Sequence, residues 1–375
     1  MSVAHMDLTS TLRGALGGRS AFVTGHTGFK GSWLALWLSE LGARVTGYAL
    51  CPEAGPSNFA ASRVRNALCA HHEADIRDRP ALRRALEAAD ADVIYHLAAR
   101  SLVLDGYQDP HETFDVNVMG TSCLLDCIRE IGRPCVVLVV TSDKCYENRE
   151  QVWGWRECDP LGGDDPYSAS KGAAEIITAA YRRSFFSTAR AGAPRARVAS
   201  ARAGNCIGGG DWARHRIVPD IVRALAEGRP VQLRNPRSIR PWQHVLESLS
   251  GYLLLTARML TCEDRLIESS WNFGPMPGDE LTVAELVREF LRTWGAGSWE
   301  DAGGADGPGE AAAIRLSVDK AVLRLGWRPR WDVREAIRRT AAWYARHARD
   351  PSADMSVACR EDIAAYAGAS PVAGV

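Results

Sequence analysis

The sequence has almost no lysine, no net charge and no long apolar run. Lysine supplies only four of the 45 basic residues, and 45 acidic residues bring the formal net charge to zero. A neutral chain lacks the electrostatic attraction of a typical nucleic-acid-binding protein, so we expect no nucleic-acid partner. The longest apolar stretch, at residues 135–140, is far shorter than the roughly 18 residues that cross a bilayer. The composition therefore predicts an ordinary globular protein with no membrane contact.

Targeting and metal-binding patterns are also missing. Residues 1–18 have no apolar segment behind basic residues, so we expect no secretory signal and a cytoplasmic protein. The ten cysteines form no Cys-x-x-Cys pair and have no histidine at zinc-finger spacing, which argues against a metal site. In a cytosolic chain of this size, cysteine usually serves as a small buried apolar residue rather than as half of a disulfide.

Strand and helix patterns alternate over the first 200 residues. Apolar, β-branched runs predict strands, and amphipathic stretches between them predict helices. The predicted strands are Ala21–Thr24, Ala43–Tyr48, a shorter one near His71–Ala74, Asp92–Leu97, Pro134–Thr141 and Ala196–Ala201, and the predicted helices cover residues 29–41, 79–89, 111–131 and 166–186. Because solidly apolar strands are buried on both faces, we predict an α/β fold with a Rossmann-type, doubly wound parallel sheet.

The regular alternation stops beyond residue 204, where glycine, proline and tryptophan become frequent. Helical patterns return at residues 218–227, 244–260, 282–294 and 333–347. We therefore predict an N-terminal extension at residues 1–18, a Rossmann domain at 19–204, a smaller, mainly substrate-binding lobe at 205–349 and a weakly packed tail at 350–375. The glycine-rich segment Gly303–Gly309 is expected to be a loop.

A glycine-rich turn joins the first predicted strand to the first predicted helix. Such a turn brings the backbone close to a pyrophosphate and points a helix N-terminus at its charge. Its place between strand and helix predicts a dinucleotide site, with a purely structural turn as the alternative. Tyr48, Ala49 and Leu50 stand where NAD-binding folds often place an acid, so these residues do not separate NAD from NADP. The residues assigned to the cofactor here are Gly25, Thr27, Gly28, Phe29, Lys30 and Gly31.

Tyr167 and Lys171 stand four residues apart near the start of a predicted helix and share one helical face. The ordinary pKa of a tyrosine, about 10, is too high for a base at neutral pH, but a neighbouring ammonium favours the phenolate. Lys171 can supply that charge. The same spacing also occurs on solvated helices, so the pair alone is a weak indication of catalysis.

A third motif, Thr141-Ser142-Asp143-Lys144, ends the apolar strand predicted at Pro134–Thr141. Ligands of open α/β sheets bind beyond the carboxyl ends of the strands. The motif offers an orienting hydroxyl, a general acid and a second proton-transfer group within one turn. A surface turn with an ion pair is the alternative, but the two other motifs favour a catalytic role.

The order and spacing of these motifs resemble the extended short-chain dehydrogenases/reductases, and among them the CDP-glucose 4,6-dehydratases. The resemblance covers residues 18–347 and is carried by five strings, namely Gly25–Trp33, Thr141–Asn148, Asp165–Lys171, Asn205–Trp212 and Arg237–His244. It implies bound NAD, a nucleotide-sugar substrate such as a CDP-hexose, and a homodimer. It also implies transient oxidation at C4 of the sugar, loss of water across C5 and C6, and return of the hydride to C6.

The same resemblance implies a role for each site residue. Tyr167 is the base at the 4-hydroxyl, Lys171 lowers the pKa of Tyr167 and holds the nicotinamide ribose, and Ser142 orients the substrate. Asp143 protonates the departing 6-hydroxyl, and Lys144 is the candidate for proton removal from C5. The further contacts implied are Asp75, Ile76, Leu97, Ala98 and Ala99 with the cofactor, and Asn205, Arg216 and Arg240 with the substrate's diphosphate. Solvated surface is the alternative for the two arginines.

Two segments depart from the family pattern. Arg100–Tyr107 replaces a Gln-Pro and a basic pair in the loop that faces the sugar, and Gly309-Glu310-Ala311 replaces His-Glu-Ala. The sugar or the base can therefore differ although the proton-transfer residues match. A nucleotide-sugar 4-epimerase is the alternative enzyme, which has no use for an acid such as Asp143. A non-catalytic NAD-binding protein is a third interpretation, against which the complete catalytic set argues.

Overall fold

The computed structural model describes residues 7–52, 55–149, 151–187, 196–303 and 315–372. The strands in these ranges are β1 (Ser20–Thr24), β2 (Arg44–Ala49), β3 (Ala70–Glu73), β4 (Val93–His96), β5 (Val136–Val140), β6 (Arg197–Arg202), β7 (Cys206–Ile207), β8 (Val231–Leu233), β9 (Ile239–Arg240), β10 (Gln243–His244), β11 (Ser270–Asn272), β12 (Leu281–Thr282) and β13 (Trp299–Asp301).

The α-helices in the same ranges are α1 (Leu8–Leu16), α2 (Phe29–Glu40), α3 (Asn58–Ala61), α4 (Arg79–Ala89), α5 (Val103–Gln108), α6 (Pro110–Phe114), α7 (Gly120–Ile131), α8 (Pro166–Ser184), α9 (Ile217–Ala226), α10 (Val245–Thr261), α11 (Val283–Trp294), α12 (Val333–Arg349) and α13 (Ser356–Gly368). Short 3₁₀ turns are found at Val64–Ala67, Asp143–Cys145 and Arg265–Ile267, and π-helical turns at Asp115–Met119 and Ala321–Leu325.

Seven parallel strands form the central sheet, in the order β11-β6-β5-β4-β1-β2-β3. In the register of β1, Ala21 lies opposite Val45 of β2 and Val93 of β4. Every residue of β1 and β5 is buried, because apolar clusters cover both faces of the sheet. The strand order reverses between β1 and β4, where doubly wound sheets open a crevice for ligands. The predicted Rossmann-type parallel sheet is confirmed.

The helix predicted at 111–131 is present and contains a π-helical turn. α6 ends at Phe114, the π-helical turn Asp115–Met119 follows, and α7 begins at Gly120. A Cβ at Gly120 would lie 2.7 Å from Cγ2 of Ile76. A π-helical turn adds one residue to a turn and shifts the faces of the helix that follows. The backbone stays helical through this turn, so the uninterrupted prediction is confirmed and only the helical register was not predicted.

The chain beyond residue 204 returns to the central sheet. β11 pairs with β6 at the sheet edge, with Trp271 opposite Ala201. α10 is buried along most of its length and packs against β5. The remaining strands form three small pairs, β7 with β10, β8 with β13, and β9 with β12. Residues on both sides of the predicted 204/205 boundary therefore build the same sheet.

The weakly packed tail predicted from about residue 350 is wrong. In α13, Cys359, Ile363 and Tyr366 are buried, and the Tyr366 hydroxyl donates to Glu247 of α10 at 2.6 Å. α1, in the predicted N-terminal extension, buries Leu12 and contacts both α10 and α13. Both terminal helices thus complete the apolar core. Within the described residues, no helix is both long and apolar enough to span a bilayer.

Candidate active site

The three sequence motifs meet at one edge of the sheet. β1, β4, β5 and β6 are parallel, so their carboxyl ends point the same way. Gly25 follows β1, Leu97 follows β4, Ser142 lies just after β5, and Gly204 lies just after β6. This is the edge at which α/β sheets bind ligands.

Close contacts within the backbone explain the glycines of the first motif. Gly25 has a φ of +73°, and a Cβ there would lie 2.7 Å from the backbone nitrogen of Ala98. A side chain at Gly31 would overlap the carbonyl oxygen of Gly25. α2 begins at Phe29 with Gly28 as N-cap, and neither a capping side chain nor an acid occupies its first turn. The uncapped N–H groups and the positive end of the helix dipole therefore fit a diphosphate.

The other predicted cofactor contacts are Leu97, Ala98 and Ala99, which follow β4, and Asp75 and Ile76, which lie between β3 and α4. Thr24 Oγ1 accepts hydrogen bonds from the N–H groups of Leu97 and Ala98, both at 3.1 Å, which ties β4 to β1. The Asp75 carboxylate pairs with Arg77 at 2.6 Å, and hydrogen bonding to Arg77 holds the pKa of Asp75 below its ordinary value. Asp75 is thus engaged within the protein, and its contact with the cofactor stays a prediction.

Tyr167 and Lys171 lie on the buried face of α8. Lys171 Nζ is 6.0 Å from the centre of the Tyr167 ring, and the two residues are only 6% and 7% exposed. Burial raises the pKa of Tyr167, and a hydrogen bond with Ser142 and the cations Arg216 and Lys30 act in the opposite direction. Burial lowers the pKa of Lys171 to about 8, with a further contribution from Lys30. An ammonium that titrates near neutrality can exchange protons at working pH.

Ser142 and Asp143 are buried together at the end of β5. Ser142 Oγ donates to Asp143 Oδ1 at 2.8 Å and accepts from the N–H of Lys144 at 3.2 Å. A Cβ at Gly204 would overlap the Asp143 carboxylate. Glycine at this position therefore leaves the space that the carboxylate occupies. The Lys144 side chain is half-buried, and its proton-transfer role stays a prediction.

We expect Gly204→Ala to disable the site without unfolding the protein. The added methyl group must push the Asp143 carboxylate away from Ser142. A displacement of about 1 Å in a catalytic group can cost about 100-fold in rate, so we expect a loss of at least this size in turnover. Gly14→Ala, in open space on α1, is the control and should leave turnover unchanged. Normal turnover in Gly204→Ala would mean that the position of Asp143 does not matter.

Lys30 lies closer to Tyr167 than its place in the glycine motif suggests. Its Nζ is 6.0 Å from the centre of the Tyr252 ring on α10, and it also faces Cys206 and Tyr167. Cys206 Sγ lies 3.5 Å from the hydroxyl of Ser248. A half-buried cation in this position favours negative charge on Tyr167. Sequence reasoning assigned Lys30 only to the cofactor, because this proximity depends on the packing of α2 against α10.

The three predicted diphosphate contacts lie in different surroundings. Arg216 pairs with Asp211 at 2.9 Å and donates to Ser101 Oγ at 3.3 Å. Arg240 is half-buried and donates to the carbonyl of its neighbour Ile239 at 3.0 Å. Asn205 has a left-handed backbone, with φ +49°. Their contacts with a diphosphate stay predictions, and Gly309-Glu310-Ala311 lies outside the described residues.

The divergent segment Arg100–Tyr107 packs directly against α8. A Cβ at Gly106, in α5, would lie 3.1 Å from the backbone nitrogen of Tyr167. Asn117, in the π-helical turn, accepts from the N–H of Arg100 at 2.9 Å and donates to Ser170 Oγ at 2.8 Å. Sequence reasoning missed Asn117, since its only signal was a polar residue within an apolar helical pattern.

Sequence reasoning also missed a buried ion pair beneath the site. Glu175 Oε2 lies 2.8 Å from Arg202 Nη2, and both side chains are only 2% exposed. Glu175 follows Lys171 by four residues on α8, and Arg202 ends β6. In the sequence, the only indication of this ion pair was a glutamate on the same helical face as Tyr167 and Lys171.

Comparisons with known proteins agree with this geometry. The model of the GDP-mannose 4,6 dehydratase family matches residues 22–340. The CDP-glucose 4,6-dehydratase of Salmonella typhimurium is 45% identical over 353 residues, which cover 94% of this chain and 97% of that protein.

Solved structures show the same architecture. A dTDP-glucose 4,6-dehydratase from Streptomyces venezuelae, solved with NAD bound, has a TM-score of 0.72 and 26% identity, and the match covers 89% of this chain and 99% of that one. A UDP-glucose 4-epimerase from Stenotrophomonas maltophila, also with NAD bound, has a TM-score of 0.76 and 22% identity, covering 89% of this chain and 100% of that one. The epimerase supports the fold alone. The family match over most of the sequence, together with the Salmonella relative, shows that the chain belongs to the GDP-mannose 4,6 dehydratase family, the nucleotide-sugar dehydratases of the extended short-chain dehydrogenase/reductase type.

Proposed function

We propose that this protein is an NAD-dependent nucleotide-sugar 4,6-dehydratase, a lyase that acts on CDP-glucose or a related CDP-hexose. The observation that carries the proposal is the buried Asp143, which is hydrogen-bonded to Ser142 and packs against Gly204. Loss of the C6 hydroxyl as water needs an acid at this place, whereas a 4-epimerase breaks no carbon–oxygen bond. The 45% identity with a CDP-glucose 4,6-dehydratase supports a cytidine nucleotide.

The residues present fit NAD. The uncapped start of α2 and the backbone of Gly25, Gly28 and Gly31 would hold its diphosphate, and Lys171 would hold the nicotinamide ribose. Bound NAD supplies a temporary acceptor for the hydride of C4, which is returned to C6. Substrate and product therefore have the same oxidation level, and no second redox partner is needed.

The side chains divide the proton transfers among them. Tyr167 takes the proton of the 4-hydroxyl, Ser142 hydrogen-bonds the same oxygen, and the cations around the phenol stabilise its anion. Lys144 removes the C5 proton, and Asp143 gives a proton to the C6 hydroxyl, which leaves as water. C5 regains a proton when C6 is reduced. The product is the 4-keto-6-deoxy sugar nucleotide.

The substrate's diphosphate is assigned to Asn205, Arg216 and Arg240. Arginine suits this role because its planar fork matches phosphate oxygens. Arg216 also donates a hydrogen bond to Ser101 in the divergent segment. This bond links the segment to the proposed diphosphate site. We therefore place the choice of sugar in the segment Arg100–Tyr107.

Mass spectrometry of the product tests the proposed function. The protein is incubated with CDP-glucose, dTDP-glucose, UDP-glucose and GDP-mannose in separate reactions. We expect loss of one water from CDP-glucose and slower or no reaction with the others. A product of unchanged mass would show a 4-epimerase, and water loss from another nucleotide alone would overturn the cytidine preference.

We also propose a homodimer that is held by the helices around the site. α6 and α7 each pack against α8. Large apolar side chains are exposed on α8, the π-helical turn and α6, where Ile176, Met119 and Phe114 are 56%, 55% and 38% exposed. Two copies that bury these side chains against each other would form a four-helix contact. Light scattering at micromolar concentration should give twice the mass of one chain. Ile176→Glu should shift the measured mass toward that of one chain. A monomeric wild-type protein would refute the dimer.

The cytoplasm is the proposed location. All ten cysteines are free thiols in the structure, including the exposed Cys51, Cys69 and Cys158. Exposed free thiols suit a reducing compartment. Fractionation of the producing cells should recover the protein with cytoplasmic markers, and recovery outside the cell would contradict the assignment.

A further inference from the structure

One buried carboxylate connects the catalytic helix to three strands of the sheet. Glu175 Oε1 accepts a hydrogen bond from Thr141 Oγ1 at 2.5 Å, at the end of β5. Glu175 Oε2 accepts from Ser200 of β6 at 2.7 Å and from Ser270 of β11 at 3.2 Å. These hydroxyls, together with Arg202, satisfy both oxygens of a side chain that water does not reach.

The charge of Glu175 is maintained within the protein. Burial alone would raise the pKa of Glu175, but Arg202 and the hydrogen bonds from Thr141 and Ser200 hold the pKa below its ordinary value. Arg202 is itself fixed, because it also donates to the Tyr146 hydroxyl at 2.6 Å. Buried ion pairs add little to stability on balance, so a network of this size needs another explanation.

The network joins the two halves of the catalytic apparatus. Glu175 lies one helical turn from Lys171 and two from Tyr167 on α8, and Thr141 directly precedes Ser142 and Asp143. We infer that Glu175 is a positioning residue of the dehydratase reaction, which holds the Tyr167–Lys171 helix against the Ser142–Asp143 strand end. This role rests on the proposed function, since it concerns the distance between the base and the acid.

Glu175 also acts on the charge of Lys171. The groups that face Lys171 are Lys30 of α2, Cys145 of the turn after β5, His96 of β4, and Tyr167 and Glu175 of its own helix. Burial and Lys30 lower the pKa of Lys171, while Cys145 and Glu175 raise it. Loss of the Glu175 charge therefore lowers the pKa of Lys171, and the ammonium is lost at a lower pH. The alkaline limb of the pH–rate profile should move to lower pH.

Three single substitutions test the inference. Glu175→Gln keeps the shape and removes the charge, and we expect turnover to fall about 100-fold, KM to change little and the alkaline limb to move to lower pH. Thr141→Val removes the hydrogen bond from the end of β5 to Glu175, together with a weak contact of 3.5 Å between the same hydroxyl and the carbonyl of Ala201. We expect a fall of about 10-fold with an unmoved alkaline limb. Ser270→Ala removes a hydrogen bond to the same carboxylate from a strand without catalytic residues, and its turnover should stay within about twofold of wild type.

Each outcome is decisive. Wild-type turnover and pH profile in both Glu175→Gln and Thr141→Val would overturn the inference, and so would an unmoved alkaline limb in a folded Glu175→Gln protein. If Glu175→Gln does not fold, as circular dichroism and thermal unfolding would show, equal effects of Thr141→Val and Ser270→Ala would overturn it. If wild type gives an isomer instead of a dehydrated product, the proposed function fails. The same comparison on the isomerisation still tests Glu175, since that reaction also uses Tyr167 and Lys171.

Discussion

Asp143→Asn will separate sugar oxidation from water loss. Asparagine keeps the shape of the buried side chain and its contact with Ser142 but has no acidic proton. Oxidation at C4 does not use Asp143, so the absorbance of reduced nicotinamide should rise in a single turnover. The 4-keto-6-deoxy product should form about 100- to 10,000-fold more slowly, which is the range for general acid catalysis.

The control for this prediction is Asp164→Asn, an exposed aspartate in the loop before α8. It removes a carboxylate near the same elements and should leave the product rate unchanged. Stopped-flow absorbance and quenched product analysis measure the two steps separately. Product formation at the wild-type rate in Asp143→Asn would remove this residue from the mechanism and, with it, the main argument against a 4-epimerase.

Tyr167→Phe will block the reaction before the sugar is oxidised. The phenylalanine ring fills the same buried space, but no group remains to accept the proton of the 4-hydroxyl. Turnover should fall by about 100-fold or more while substrate affinity stays nearly unchanged. In contrast to Asp143→Asn, no burst of reduced nicotinamide should appear. Tyr181→Phe is the matched control, because Tyr181 lies on the same helix and its hydroxyl is 3.2 Å from the hydroxyl of Ser122.

The pH dependence of turnover gives a second test of Tyr167 and Lys171. Lys171 has a pKa of about 8 in the fold, so its ammonium is present below that pH and is lost above it. Because the ammonium favours the phenolate of Tyr167, turnover in wild type should decline as the pH rises past about 8. Lys171→Met should be poorly active at all pH values and should retain NAD less well. An unchanged alkaline decline in Lys171→Met would assign that limb to another group.

Short-range patterns in the sequence sufficed for six of the seven strands of the central sheet and for the glycine-rich turn after β1, but β11 was not predicted. The apolar runs of β1 and β5 are buried on both faces, as their composition requires. The glycines of the first motif depend on contacts within a few residues and with the neighbouring strand end. The start of α8 is also a local feature, because Asp165 is its N-cap and Pro166 its first residue. The roles of the catalytic residues came from the family resemblance.

Only the tertiary structure brought together residues that are distant in the sequence. The register of β5 and β6 places Val139 opposite Ser200, so Thr141, Ser200 and Arg202 all reach Glu175. Crossover connections put Gly204 beneath Asp143. The packing of α1 and α13 against α10 likewise depends on a core that forms only when the whole chain has folded. Local propensity and motif spacing carry no information about such contacts, because each depends on the relative placement of separate elements.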